Sequence, residues 1–287
     1  MYPSKVLGTA NFNNLYGVIN KSIKKNEISN ILNCAWNIGF RYLDTAADYR
    51  NVHDILYECD SFAKYDWRVI TKLPKNKQND DQEAYKKILL DFLASLKNKF
   101  KKNSIETILI HDHNFLKNNI DHRMVFDLLL EEKEKGFIKN IGLSVYDPIP
   151  SDQMRFLYKC LNNFVVQCPY SIFDRRFEND MFEFSNICKF QARSIFLQGL
   201  LLNENIFRKK FPESKSFYFF KKWLNENDIS SQEACVSFVK HSKANQMIVG
   251  FNSEKEIEEF GNSYEDAKII NPIAFCDDIE ILNPINW

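Results

Sequence analysis

Short apolar, β-prone runs recur along the chain, separated by longer stretches whose apolar positions repeat at helical spacing. The runs are Lys5–Thr9, Arg41–Asp44, Arg68–Lys72, Thr107–His111, Ile138–Ser144, Phe164–Gln167, Phe190–Ser194 and Met247–Gly250. Their apolarity is continuous rather than alternating, which suits parallel strands covered on both faces. Between them, Glu27–Ile38 places Ile28, Ile31, Leu32 and Ala35 on one helical face and stops before Gly39, a natural terminator. Glu83–Phe100, His122–Lys135, Ser151–Leu161, Ser230–His241 and Ser253–Phe260 read the same way. Ser151 and Ser253 stand where N-caps belong, and Ser230-Ser231-Gln232-Glu233 has the form of a capping box. Strand then helix, repeated, predicts parallel βαβ units. Eight such strands favour an α/β fold of the (β/α)8 TIM-barrel type, a parallel eight-stranded closed sheet. An open doubly wound sheet would carry G-x-G-x-x-G after an early strand, and this sequence has none.

Composition narrows the reading mainly by exclusion. The 287 residues, 45% of them hydrophobic, can bury a large core. No Gly/Ser-rich or Pro-rich linker divides them, so residues 1–287 are expected to form one barrel domain. A formal net charge of +0 argues against a nucleic-acid partner, and the basic runs near Lys97 and Arg208 read as solvated faces. No apolar stretch approaches the ~20 residues of a membrane span, so no membrane association is expected. The N-terminal segment Met1–Leu7 lacks the features of a signal peptide. Seven scattered cysteines without a C-x-x-C pair suit a reducing, cytoplasmic setting.

Barrel enzymes carry their chemistry at the carboxyl ends of the strands. Here those ends bear Asp44, Lys72, His111, Ser144, Gln167 and the pair Arg193-Ser194. Asp44 and Lys72 on neighbouring strands can offset each other's burial as an ion pair. Tyr49 lies five residues beyond Asp44, in a loop able to return its ring over the mouth. An adjacent ammonium lowers a phenol's pKa, and His111 can polarise a carbonyl or pass a proton. The set suits proton donation by Tyr49, tuned by Lys72, with Asp44 holding the lysine.

At these residues the chain resembles the aldo-keto reductase superfamily. Gly39-Phe40-Arg41-Tyr42-Leu43-Asp44-Thr45-Ala46-Ala47-Asp48-Tyr49 is similar to its G-x-x-x-x-D-T-A-x-x-Y signature, and Asp44, Tyr49, Lys72 and His111 match its catalytic tetrad in order and spacing. The resemblance continues through Ile141-Gly142-Leu143-Ser144, Gln167-Cys168-Pro169-Tyr170-Ser171, Phe196-Leu197-Gln198-Gly199-Leu200-Leu201 and Ile248-Val249-Gly250-Phe251. The opening Leu7–Phe12 and Leu15-Tyr16-Gly17 is most similar to a short bacterial branch, and the N-terminal hairpin of many relatives is expected to be absent or minimal.

The resemblance implies an NAD(P)-dependent oxidoreductase that reduces a small aldehyde or ketone, sugar-derived carbonyls included, to an alcohol. It implies that Ser144 and Gln167 hold the nicotinamide carboxamide and that Asp44 lies near its ribose. Ser194, Leu197 and Gln198 would line the pyrophosphate. Gly250 and the helix starting near Ser253 would receive the adenosine end, in keeping with anion binding at helix N-termini. Phe12, Tyr16 and Tyr146 are candidate substrate walls, with Phe196 and Trp287 beside them. NADP(H) is favoured over NAD(H) from family habit alone, and a monomer or weak homo-oligomer is expected.

The chain also departs from the family pattern. Val145 stands where many relatives have Asn, and Arg193 where many have a stacking Tyr; a guanidinium plane can stack as well. Arg50-Asn51-Val52-His53 replaces G-x-S-E. The strand-eight turn lacks the Lys and Arg that clamp a 2′-phosphate, and Glu256 stands near the expected Arg, with Lys255 or Arg208 as substitutes. Two rival readings remain. His111-Asp112-His113 resembles a metal-hydrolase pair, but zinc needs three or four ligands and no second cluster supplies them, so no metal is expected. The other rival is a non-catalytic nicotinamide-nucleotide-binding barrel acting as a redox sensor or partner-binding subunit, distinguished by binding without turnover.

Overall fold

The computed structural model describes residues 2–12, 17–18, 23–76, 81–100, 105–111, 115–116, 122–272 and 275–284. Its strands are β1 (Ser4–Gly8), β2 (Tyr42–Asp44), β3 (Arg68–Lys72), β4 (Ile105–Ile110), β5 (Ile138–Ser144), β6 (Phe164–Pro169), β7 (Cys188–Arg193) and β8 (Gln246–Gly250). They pair in sequence order, all parallel, and β1 closes on β8 to complete the barrel. All eight predicted strands are present, with ends displaced by no more than two residues. This is the closed (β/α)8 barrel that the alternation of patterns predicts.

Because side chains alternate across a strand, every second residue points into the barrel. Val6, Ile70, Leu109, Val165 and Ile248 meet there as an apolar plug of their own, with Tyr42 packed against it. Two positions further along the same strands come Gly8, Asp44, Lys72, Gln167 and Gly250, with His111 following β4, and Ser144 and Arg193 end β5 and β7 at the same rim. The period of two therefore carries the polar strand ends onto one inward-facing layer above the plug. At Gly142 a Cβ would lie 2.1 Å from the Val165 carbonyl oxygen, so β5 and β6 approach too closely for any side chain.

The six predicted helices surround the sheet as Lys25–Asn37, Gln82–Lys99, His122–Glu134, Ser151–Leu161, Ser231–Lys240 and Glu254–Glu265. The first buries Ile28, Ile31, Leu32 and Ala35, the stripe read from the sequence. Ser230 forms its capping box with Glu233, and the Ser253 hydroxyl accepts from the Glu256 amide. Ser151 is not a cap: Pro150, extended at φ −52° and ψ 142°, takes that place and moves Ser151 into the first turn.

Shorter helices at Val52–Tyr57, Asp60–Ala63, Glu178–Glu183, Glu204–Lys210 and Ile279–Leu282, and a longer one at Lys215–Glu226, fall outside the simple repeat. Phe217, Phe220, Trp223 and Leu224 of the longer helix join Phe173, Leu197, Leu201 and Phe207 in a second apolar cluster beside the β7 end of the barrel. No described helix is long and apolar enough to cross a membrane.

Candidate active site

Lys72 Nζ donates to both oxygens of Asp44, at 2.9 and 2.7 Å, and to the Thr45 carbonyl at 3.0 Å. Only 2% of the lysine side chain and 6% of the aspartate side chain remain exposed. An ion pair this deep persists because geometry and extra hydrogen bonds offset desolvation. Here the extra donor to Asp44 Oδ1 is Gln167 Nε2, at 2.7 Å. The loop after β2 is pinned by backbone bonds from Thr45 to Ile70, from Ala47 to Lys72 and from Tyr49 to Ala46. These bring the half-buried Tyr49 ring to 5.3 Å from Lys72 Nζ, in cation–π contact.

Lys72 was expected to lower the Tyr49 pKa. Instead burial, followed by the Asp44 charge, holds the phenol above its ordinary value, with Arg193 acting the other way. The physical reason is that Asp44 neutralises the lysine at 2.7 Å, so little net positive charge faces the ring. Tyr49 is therefore a protonated phenol at neutral pH. Burial also lowers the His111 pKa, opposed by Asp48, whose Oδ2 lies 3.4 Å from His111 Nδ1. That histidine is a neutral imidazole at neutral pH, able to donate from one nitrogen and accept at the other.

Asp44, Tyr49, Lys72 and His111 share the wall of one cavity of about 490 Å³ at the carboxyl end of the barrel. Ser144, Gln167, Arg193, Ser194, Gln198 and Gly250 line it too, as does Tyr146 among the expected substrate walls. Ser144 Oγ lies 3.3 Å from Gln167 Oε1. Gln167 Nε2 also donates to Gln191 Oε1 at 3.1 Å, and Gln191 Nε2 to Gln246 Oε1 at 2.6 Å. Arg193 crosses toward β5: Nη2 donates to the Val145 carbonyl at 2.9 Å, and the guanidinium covers the Tyr146 ring at 4.4 Å.

The loop after β7 holds Ser194, Leu197, Gln198 and Gly199 in left-handed conformations, at φ 59°, 46°, 54° and 90°. Three of these are not glycine, the kind of backbone strain that concentrates at functional sites. The β1 loop reaches across to it, where the Val18 amide donates to the Gln198 carbonyl at 3.0 Å. Gly17 needs its missing side chain here, since at φ +74° a Cβ would sit 3.0 Å from that same carbonyl oxygen.

Three expected contacts are placed elsewhere. Phe12, 1% exposed, packs in the main core because the turn after β1 directs its ring inward. Leu197 is sealed in the second apolar cluster, so only its neighbours reach the cavity. Ser253 spends its hydroxyl on the Glu256 amide as a helix cap. Tyr16 and Trp287 lie outside the described residues, as do Asp112 and His113 of the H-x-H pair. No group of three or more His, Cys, Asp or Glu fit to hold a metal occurs among the described residues.

Sequence reasoning passed over Asn11, whose amide donates to the Phe251 carbonyl at 2.6 Å and to Asn252 Oδ1 at 3.2 Å. It ties the β1 end to the β8 turn, and its position three residues past β1 was the available signal. Asn11 Oδ1 is buried without a hydrogen-bond partner among the described residues, 3.6 Å from where a Gly250 Cβ would stand. Tyr49, Ser144, Gln167 and Asn11 line one and the same cavity. That donor set fits a nicotinamide dinucleotide.

Comparison with known proteins agrees with the geometry. Residues 6–279 match the family model described as the Aldo/keto reductase family. Among solved structures, the holo form of the aldo-keto reductase AKR11C1 from Bacillus halodurans superposes with a TM-score of 0.71 at 17% identity, over 93% of this chain and 88% of that one. The glycerol dehydrogenase AKR11B4 from Gluconobacter oxydans gives 0.68 at 18% identity, over 93% and 87%. An aldo-keto reductase, MGS-M4, from a Medee basin deep-sea metagenome library gives 0.64 at 17% identity, over 100% and 92%. At these identities the structures speak to the fold. No curated protein matches the sequence. A family model covering nearly the whole chain, on a barrel whose strand ends gather Asp44, Tyr49, Lys72 and His111, makes this chain a member of the aldo/keto reductase family.

Proposed function

We propose that the chain is an NAD(P)-dependent carbonyl reductase that converts a small aldehyde or ketone to the alcohol, with Tyr49 as general acid. The observation that carries this reading is the position of the Tyr49 ring over the neutralised Lys72–Asp44 pair, with His111 on the same cavity wall. A reduced nicotinamide held in this cavity would supply the hydride for the carbonyl carbon. Tyr49 supplies the proton that the developing alkoxide oxygen takes up, so the product is a neutral alcohol. His111, neutral, is suited to orienting the carbonyl oxygen by hydrogen bonding.

Ser144 and Gln167 would hold the carboxamide of the cofactor, while Gln167 also fixes Asp44. Ser194 and Gln198 would border the pyrophosphate and Gly250 the adenosine end. Asp48 and Lys75 line the cavity with Arg193 and Tyr146, which suits a hydroxylated, sugar-like carbonyl better than a purely apolar one. The test is fluorescence titration with NADH and NADPH, then a panel of sugar aldehydes, ketosugars and simple carbonyls. Saturable binding followed by cofactor oxidation that vanishes in Tyr49→Phe is expected. Oxidation that survives that substitution would remove Tyr49 from the proposed role.

A further inference from the structure

Glu256 lines the cavity beside Gly250, Phe251 and Asn252, on the β8 side. Its Oε2 accepts from the Asn252 backbone amide at 2.7 Å and lies 3.4 Å from the Asn252 side-chain nitrogen. Those contacts fix one carboxylate oxygen, and Oε1 accepts no hydrogen bond from a described residue. Glu254, in the same first turn of the helix Glu254–Glu265, is exposed and off the cavity, so Glu256 is the acid of that helix that faces it. Ser253 and the Glu256 carboxylate already answer the Glu256 and Asn252 amides.

The nearby cations do not offset that charge. Lys255 extends into solvent with Glu259 3.6 Å away, and Arg208 pairs with Glu204 at 2.8 Å. Neither lines the cavity. Of the cations that do, Lys72 is bound to Asp44 and Arg193 is drawn toward Val145 and Tyr146, while Lys75 follows β3 across the barrel from β8.

We infer that Glu256 selects the dinucleotide, accepting hydrogen bonds from the vicinal hydroxyls of an adenosine ribose and rejecting a 2′-phosphate, so that this chain takes NAD(H). An ionised carboxylate is acceptor-only and matches two adjacent hydroxyl donors. A phosphate monoester brings close to two negative charges at neutral pH to the same place. The inference rests on the proposed reading of the cavity, with the adenosine end at β8, and it reverses the preference that family habit suggests.

The experiment is equilibrium binding of NADH and NADPH to the purified protein, without carbonyl substrate, for the wild type, Glu256→Gln, Glu256→Lys and Glu258→Lys. Competition by adenosine 5′-diphosphate and adenosine 2′,5′-bisphosphate reads the adenosine end alone. The wild type is expected to bind NADH at least ten-fold more tightly than NADPH. Glu256→Gln keeps an acceptor for the Asn252 amide and should narrow that ratio, and Glu256→Lys should invert it. Glu258→Lys makes the same charge change at an exposed position off the cavity and should leave the ratio in place. Equal or tighter NADPH binding by the wild type overturns the inference while leaving the reductase reading intact. So does a ratio unmoved by either Glu256 variant, or moved as far by Glu258→Lys. Binding of neither dinucleotide would overturn both.

Discussion

Gln167 Nε2 donates to Asp44 Oδ1 at 2.7 Å, from a strand on the far side of the barrel mouth. The carboxylate that neutralises Lys72 is thus also the anchor for a carboxamide, and β2, β3 and β6 are joined through one buried acid. Under the proposed function, support of the proton donor and the seat of the cofactor would share a single residue, so substitution at Asp44 should be felt in stability, binding and turnover together.

Lys72→Met or Asp44→Asn should each destabilise the protein by about 3–5 kcal/mol, because each strands a buried partner. Urea denaturation measures this. Because the two residues touch, the double variant should lose less than the two single losses added together. Simple additivity would mean that the pair is not energetically coupled.

Tyr49→Phe should lower turnover by about 10²–10⁴-fold, the range of a lost general acid, while thermal unfolding and cofactor binding stay close to wild type. Since burial and Asp44 raise the phenol's pKa, wild-type activity should show no fall from Tyr49 ionisation as pH rises to 10. A pH–rate profile of kcat that breaks near 8 and loses the break in Tyr49→Phe would contradict this.

His53 packs against Phe92 and Phe100, with Nε2 3.1 Å from Thr71 Oγ1. Burial first, then Lys99, lowers its pKa from 6.5 to about 4. The unfolded chain therefore binds the extra proton between those values, and stability rises with pH there. The contribution is fully present above about pH 6.5 and is lost as pH falls toward 4. His53→Asn should flatten the stability–pH curve across that window, as read by denaturation midpoints at pH 4.5, 5.5 and 7. An unchanged slope would assign the acid sensitivity to carboxylates.

Gly142→Ala should be poorly tolerated, because its Cβ would overlap the Val165 carbonyl of the adjoining strand. Strand backbone cannot yield as a side chain does, so a loss larger than the about 1–3 kcal/mol of ordinary overpacking is expected. Soluble yield and melting temperature report it, and a melting temperature within a few degrees of wild type would show that β5 and β6 can separate.

The barrel was legible because strand-end polarity and period-two alternation act together: Val6, Ile70 and Leu109 point inward, and so do the site residues two positions on. Contacts made by loops were less legible. Phe12 looks like a mouth aromatic by position, yet the turn after β1 buries it, and aromatic character does not distinguish the two outcomes. Leu197 and Ser253 lie beside residues that do line the cavity, and a shift of one residue in a loop exchanges wall for core or cap. Lys215–Glu226 was missed because it packs on a satellite cluster outside the βαβ rhythm. The raised Tyr49 pKa depends on how completely Asp44 cancels Lys72, which spacing along the chain does not report.

The chain of amides from Gln167 through Gln191 to Gln246 runs down the barrel interior past the apolar plug. A carboxamide presents a donor at one end and an acceptor at the other, so such a chain has a direction. Asp44, which only accepts when ionised, fixes that direction at the mouth. Each amide beneath it is then oriented in turn, down to Gln246 at the opposite end of the barrel.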